Sequence, residues 1–195
     1  GERPIAVLNA SMAAIYHRYD YAVVSTQHAY DVEPRYLQFP RPAPVHGEFR
    51  EASEEDFPLL VDLYRRFREE RTCYVHRGRA MWDAGVLAPA PPGGQVVTMV
   101  YQQDGKPQGY VIYCIEPIQG GTPGFARQRI TLRDLIWLTS GAYQAVWNHF
   151  QPMDLIDSIT WGRIPVDDPL PHLLLEPRRL HLTSRDGVMA RIVDV

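Results

Sequence analysis

Few side chains in this sequence have a type and spacing that could carry out chemistry. The seven histidines are scattered, and no HExxH, GxSxG, P-loop or strand-following GxGxxG motif occurs, so we expect no metal site. The paired carboxylates Asp167 and Asp168 precede two prolines, a pattern that favours capping and turn formation over acid–base catalysis. What remains is a short segment near the N-terminus, in which Ser11 and Tyr16 lie on an alanine-rich stretch.

The composition is that of a globular protein. The chain has 195 residues and a formal net charge of −3, with 45% hydrophobic and 22% charged residues, which excludes wholesale disorder and gives no basic excess for nucleic acid. Its longest apolar run, Tyr110–Ile115, is far shorter than the roughly 20 residues of a membrane helix. Cys73 and Cys114 lack CxxC partners and are predicted to be buried free thiols in a reducing compartment. With no leader pattern, we expect a cytoplasmic protein.

The segment near the N-terminus is predicted as a strand–helix–strand unit. Ile5–Leu8 is typical of a strand buried on both faces. Ala10–Tyr19 has apolar side chains at helical spacing, with Ser11 as its N-cap, and Tyr21–Ser25 returns as a strand. A strand buried on both faces needs neighbours on each side, and the residues before Pro40 supply too few. We therefore interpret this unit as the tail of a larger domain.

A second domain is predicted after the proline-rich linker Phe39–Pro44. The loop Gly120–Gly124 within it ends in no Lys-Ser/Thr pair and is a poor phosphate cradle. The final stretch, Asp186–Val195, is predicted as a strand with no evident partner. The other predicted elements are strand Glu48–Ala52, a helix opened by a capping box at Ser53–Asp56, helix Arg77–Leu87, strands Val96–Tyr101 and Tyr110–Glu116 joined at Asp104–Gly105, the alternating segment Arg129–Leu138, a helix capped by Ser140, strand Ile156–Ile164, and helix Leu170–Leu175.

Three motifs carry a resemblance to a known family. Val7–Tyr21 resembles the last motif of GNAT-type (Gcn5-related) N-acetyltransferases: a strand, a small-residue helix bearing a Tyr, and an aromatic strand. The chain is more specifically similar to the enhanced-intracellular-survival (Eis) acetyltransferases, in which Leu-x-Ala-Ser-x-x-x-Ile-Tyr-x-Arg-Phe/Tyr-x-Tyr recurs at the matching place. Asp168–Leu174 and Arg185–Val195 are the second and third matching stretches. Three motifs in order across residues 4–195 make the match specific.

The resemblance implies an α/β fold of tandem acetyltransferase-like domains, with twisted mixed sheets flanked by helices. It implies that residues 1–39 are the C-terminal part of a catalytic GNAT domain and that residues 40–46 are a linker. Residues 47–182 would form a second, degenerate GNAT-like domain. Residues 183–195 would be the entry strand of a sterol-carrier-like C-terminal domain that is otherwise missing. The family tends to form rings of several subunits, so a homo-oligomer is expected.

The resemblance also implies the chemistry: transfer of acetyl from acetyl-coenzyme A to an amine, which would be an aminoglycoside, a polyamine-like molecule or a lysine. It makes Tyr16 the general acid that protonates the coenzyme A thiolate, with Ser11 and Met12 against the cofactor where strand and helix splay apart. A phenol is protonated at neutral pH and can donate to a thiolate within hydrogen-bond reach. The residues alone also allow Tyr16 to be a core aromatic on an apolar helix face.

Some features of the family pattern are missing from this sequence. The pyrophosphate loop does not occur, the C-terminal carboxylate that serves as the base lies in the missing domain, and His17 and Asp20 stand where the family often has Gly. We therefore expect this chain by itself not to be an efficient enzyme. The alternative is a non-catalytic scaffold or oligomerisation module that binds no cofactor and uses exposed aromatics such as Tyr36, Phe39 and Trp82.

Overall fold

A computed structural model describes residues 3–41, 47–72, 74–118 and 127–194. Within these ranges the chain forms ten strands and five α-helices, so the predicted mixed α/β architecture is confirmed. In chain order they are β1 (Ile5–Leu8), α1 (Ala13–His17), β2 (Ala22–Val23), β3 (Thr26–Val32), β4 (Gly47–Glu51), α2 (Phe57–Glu69), α3 (Arg79–Ala84), β5 (Gln95–Gln103), β6 (Lys106–Pro117), β7 (Gln128–Trp137), α4 (Ser140–Phe150), β8 (Ile156–Ile164), α5 (Leu170–Leu173), β9 (Thr183–Asp186) and β10 (Met189–Ile192).

Seven of these strands form the larger sheet, in the order β4-β5-β6-β7-β8-β3-β9. All neighbours are antiparallel except β7 and β8, which run parallel because α4 crosses over between them. β3 belongs to the segment predicted as the first domain, yet it pairs with β8, with Tyr30 opposite Trp161. Strand pairing therefore crosses the predicted boundary between residues 39 and 40, and the division into domains stays a prediction.

Apolar side chains cover both faces of the larger sheet. On one face, Trp147 and Phe150 of α4 pack against β6 and β8. On the other face, α2 contributes Leu63 and Phe67. The expectation that Trp82 is exposed was wrong: it is 1% exposed, because rings of α2 and β6 pack around it. The same expectation was wrong for Tyr36 and Phe39, which are partly buried against the core.

Two local signals of the sequence are confirmed, and a third is shifted by one residue. The capping box forms, with the Ser53 backbone N–H donating to the Asp56 carboxylate. The β5–β6 hairpin turns at Asp104 and Gly105, both with positive φ. The helix α4 is capped by Thr139 and not by Ser140, because the Thr139 hydroxyl is the group that accepts the N–H of Ala142.

The smaller sheet has the order β1-β10-β2 and overturns two expectations. β1 has the predicted bounds but is not buried on both faces, since Ile5 is 58% and Val7 61% exposed. The stretch predicted as one unpartnered strand at residues 186–195 is divided between β9 and β10. The break is at Gly187, where a Cβ would collide with Ser25, and β10 then pairs with both β1 and β2.

A charged network lies between the larger sheet and the α2–α3 layer. The Arg77 guanidinium donates to the Asp134 carboxylate at 2.5 Å and stacks 4.0 Å from the Tyr64 ring. The buried Tyr110 hydroxyl donates to the same carboxylate at 2.7 Å. Removing one partner of a buried ion pair leaves the other charge uncompensated.

We therefore predict that Asp134→Ala lowers the free energy of unfolding by about 3–5 kcal/mol. The matched control is Asp83→Ala, which removes an exposed partner of Arg79 and should destabilise the protein far less than Asp134→Ala. Urea denaturation followed by circular dichroism measures both values. Equal losses for the two variants would contradict the role given to the Arg77–Asp134 pair.

Candidate functional site

The predicted helix Ala10–Tyr19 is reduced to the five residues of α1. Met12 is its N-cap, with extended backbone (φ −141°, ψ 107°) and no side-chain hydrogen bond, so the prediction of Ser11 as N-cap was wrong. No residue of α1 is fully buried, and short helices without packing are marginal in water, which accounts for the shortening. Ser11 and Met12 are both exposed at the start of the helix, Met12 by 61%.

Tyr16 lies in the last turn of α1 and is half-buried. Its ring meets the Tyr21 ring edge-on, with 6.1 Å between centroids. Its carbonyl accepts the N–H groups of Tyr19 (2.9 Å) and Tyr21 (3.3 Å), and Asp20 between them takes the left-handed conformation (φ 62°) that Asp tolerates better than most residues. The Tyr16 phenol makes no hydrogen bond to the described residues.

Asp168 has the turn role that the sequence predicts, although the N-cap position of α5 is Pro169. Its side chain is 3% exposed, and its Oδ1 accepts the Leu170 N–H at 3.2 Å as α5 begins. The same oxygen accepts the hydroxyls of Tyr30 and Tyr143, which ties β3, α4 and α5 together. Burial raises the pKa of the Asp168 carboxyl above its ordinary value, while these hydrogen bonds act in the opposite direction.

Sequence reasoning missed an opening in the larger sheet. β7 and β8 pair over residues 128–132 of β7 only, and then separate towards their C-terminal ends. Two adjacent cavities of about 440 and 420 Å³ lie there, and both are lined by Arg71 and Trp137. The Arg71 guanidinium stacks 3.6 Å from the Phe67 ring and 5.0 Å from the Trp137 ring. The parallel pairing that creates this opening has no local sequence signal beyond the strand–helix–strand order.

Other candidate groups lie elsewhere. Cys114 is a buried free thiol in β6, as predicted, whereas Cys73 and the loop Gly120–Gly124 fall outside the described residues. In the ranges that the structure describes, no group of three or more His, Cys, Asp or Glu side chains is arranged to hold a metal ion. No helix within those ranges is long and apolar enough to cross a membrane.

Comparison with known proteins identifies the class to which this architecture belongs. Residues 73–192 match the family model for the acetyltransferase (GNAT) domain. The match covers more than half of the chain, so the chain belongs to the GNAT acetyltransferase family.

The resemblance to Eis proteins is also confirmed. The chain is 28% identical over 200 residues to N-acetyltransferase Eis of Mycobacterium tuberculosis (strain ATCC 25177 / H37Ra), covering 98% of this chain and 47% of that protein. It is 29% identical over 198 residues to an uncharacterized N-acetyltransferase of Streptomyces avermitilis, covering 98% and 48%. The chain thus spans about half the length of the curated relatives it matches.

Two solved structures are similar to this fold. Eis1 from Mycobacterium abscessus matches with a TM-score of 0.65 and 28% identity, over 97% of this chain and 48% of that one. A GCN5-related N-acetyltransferase from Anabaena variabilis ATCC 29413 matches with a TM-score of 0.79 and 24% identity, over 98% of this chain and 46% of that one. The second likeness concerns the fold alone.

The raised pKa of Asp168 predicts a pH dependence of stability. Because the folded pKa lies above the unfolded one, the contribution of this carboxyl is fully present below about pH 4 and is lost as pH rises through the folded pKa. We expect the stability advantage of the wild type over Asp168→Asn to shrink across that interval, by up to about 1.4 kcal/mol per pH unit. Urea denaturation from pH 4 upwards measures it. A wild-type advantage that grew with pH would contradict the assignment.

Proposed function

We propose that the natural protein containing this chain is an N-acetyltransferase that moves acetyl from acetyl-coenzyme A to an amine, with Tyr16 as general acid. The observation that carries the proposal is the half-buried Tyr16 phenol, which has no hydrogen-bond partner among the described residues. It lies in a chain homologous to N-acetyltransferases along almost its full length. The acceptor is an aminoglycoside, a polyamine-like molecule or a lysine side chain.

In the proposed reaction the neutral amine nitrogen attacks the thioester carbonyl directly. The new C–N bond forms, the C–S bond breaks, and the nitrogen releases a proton to solvent as the amide is produced. The departing thiolate takes a proton from the Tyr16 hydroxyl, which regains one from solvent at the end of the cycle. Direct attack requires no nucleophilic cysteine. The buried Cys114 therefore has no part in the reaction.

Ser11 and Met12 are proposed to contact acetyl-coenzyme A. Both are exposed immediately before α1, one helical turn ahead of Tyr16. The flexible Met12 thioether suits an irregular apolar surface such as the pantetheine arm, and the Ser11 hydroxyl can donate or accept a hydrogen bond. This contact with acetyl-coenzyme A supports the acid role proposed for Tyr16, because it would place the thioester sulfur beside α1.

The proposed domain organisation follows from the exposed apolar side chains of the smaller sheet. Ile5, Val7 and Ile192 are each more than half exposed, which is unusual for strand residues of this type. The relatives are also about twice as long as this chain. We propose that further chain in the natural protein covers this sheet. In that arrangement, residues 1–39 complete a catalytic domain, residues 47–182 form a second GNAT-like domain, and residues 183–195 lead into a third. A cytoplasmic homo-oligomer is part of the same proposal.

A scaffold function is the second candidate. It is favoured by exposed apolar side chains in α1 and on either side of it, namely Met12 (61%), Ile15 (46%) and Tyr19 (59%), which would serve a protein contact as well as a cofactor contact. The two candidates differ in acetyl-coenzyme A binding. An enzyme binds it through the Met12 side of α1, whereas a scaffold does not.

If Tyr16 is the general acid, Tyr16→Phe should lower kcat by about 10²- to 10⁴-fold and leave the KM for acetyl-coenzyme A nearly unchanged. The experiment uses the full natural protein and follows release of the coenzyme A thiol. The matched control is Tyr19→Phe, which removes an exposed phenol from the turn after α1 and should keep wild-type kcat. A Tyr16→Phe enzyme as fast as the wild type would exclude the acid role.

If Met12 contacts the cofactor, Met12→Asp should weaken acetyl-coenzyme A binding by tenfold or more, or about 1.4 kcal/mol, since a carboxylate is placed against an apolar arm and an anionic cofactor. The control Met81→Asp changes a methionine of α3 that is 54% exposed and should bind as the wild type does. Calorimetry measures both dissociation constants. Failure of the wild-type protein to bind acetyl-coenzyme A would instead favour the scaffold function.

A further inference from the structure

Arg191 of β10 contacts the turn that follows α1, although it is 172 residues away from Tyr19 in the sequence. Its Nη1 donates to the Tyr19 carbonyl at 3.1 Å. Its guanidinium carbon lies 5.5 Å from the centroid of the Tyr21 ring, within range of a cation–π interaction. Arg191 therefore holds both ends of the three-residue turn Tyr19–Tyr21.

The same turn is bound to Tyr16. The N–H groups of Tyr19 and Tyr21 both donate to the Tyr16 carbonyl, and the Tyr21 ring meets the Tyr16 ring edge-on at 6.1 Å. Two routes thus lead from Arg191 to Tyr16, one through the backbone of the turn and one through the aromatic rings. A shift of the turn would move the Tyr16 side chain.

Arg191 is well suited to this task, because its own backbone is fixed. β10 is paired on both sides, with Arg191 opposite Ala6 of β1 and Ala190 opposite Ala22 of β2. The Val193 N–H continues this pairing by donating to the Pro4 carbonyl at 2.8 Å.

The guanidinium has no competing partner in the described ranges of the chain. It forms no ion pair with a carboxylate there, and its Nε is buried without a hydrogen bond. Its interactions are therefore those with the turn. Asp20, in the middle of that turn, has a left-handed backbone that costs free energy in a non-glycine residue, so the turn needs such support.

We propose that Arg191 is a positioning residue for Tyr16. It holds the turn Tyr19–Tyr21 and thereby keeps the Tyr16 phenol oriented towards the leaving thiolate. The strand β10 then becomes a component of the acetyl-transfer site. This inference rests on the proposed function.

The test is a double-mutant cycle in the full natural protein. Arg191→Met should lower kcat by about 10- to 100-fold, because small displacements of a catalytic group have effects of this size, and it should change the KM for acetyl-coenzyme A by less than about twofold. In the Tyr16→Phe background the same change should alter kcat by less than about twofold, since a positioning residue acts only through the group it positions. The control Arg185→Met, an exposed arginine of β9, should leave kcat unchanged.

Two further measurements separate positioning from a general loss of structure. Arg191→Lys keeps the charge and a donor to the Tyr19 carbonyl but loses the planar stacking, so it should recover part of the kcat lost in Arg191→Met. Hydrogen exchange of the Tyr19 and Tyr21 amides should be at least tenfold faster in Arg191→Met, while amides of the larger sheet exchange at the wild-type rate.

The outcomes distinguish this inference from the proposed function. A wild-type protein without acetyl transfer would overturn both. A second outcome would overturn the positioning role alone. In it the wild type is active and Tyr16→Phe impairs it, but Arg191→Met lowers kcat by the same factor in the wild-type and Tyr16→Phe backgrounds. Unchanged exchange of the Tyr19 and Tyr21 amides in Arg191→Met would do the same.

Discussion

The pairing of β10 between β1 and β2 is the constraint on which the candidate site depends. Within the described residues, β1 and β2 have no hydrogen-bonded neighbour except β10. Both are short strands, and isolated pairs of such strands are marginal in water. The helix α1 connects them and has no fully buried residue of its own. The position of Tyr16 is therefore determined by a strand from the other end of the described chain.

Within the described residues, two neighbouring chain segments connect the two sheets. β3 and β9 pair in the larger sheet, and β2 and β10 pair in the smaller one. Both segments change sheets together at Ser25 and Gly187, where the Gly187 N–H donates to the Ser25 carbonyl and the Val188 N–H to the Ser25 hydroxyl. The larger sheet has a tightly packed core on both faces, whereas the smaller sheet has exposed apolar side chains. These two hydrogen bonds thus link the less covered smaller sheet to the well-packed larger sheet.

Local signals in the sequence were enough to predict many of the elements. The strand Ile156–Ile164, the capping box at Ser53 and the hairpin at Asp104 each depend on residues close together in the chain. Long-range arrangements could not be predicted in this way. The apolar run Ile5–Leu8 indicates a strand, but its exposure depends on which segments cover it. An apolar pattern likewise does not reveal whether Trp82 will be enclosed by rings from other elements.

At the candidate site, too, the local sequence was not enough and long-range contacts supplied the rest. The residues alone left Tyr16 as either an acid or a core aromatic, and only the resemblance to a family favoured the first. The structure explains why the first and third motifs of that resemblance belong together, since β1, α1 and β10 form one unit although the motifs lie at opposite ends of the sequence. Proton transfer to a thiolate requires a phenol held in one direction, and a helix of five residues cannot supply that rigidity alone. β10 is a paired strand, and its Arg191 can supply that rigidity. This gives a physical reason why the third matching stretch, which contains Arg191, accompanies the first, which contains Tyr16.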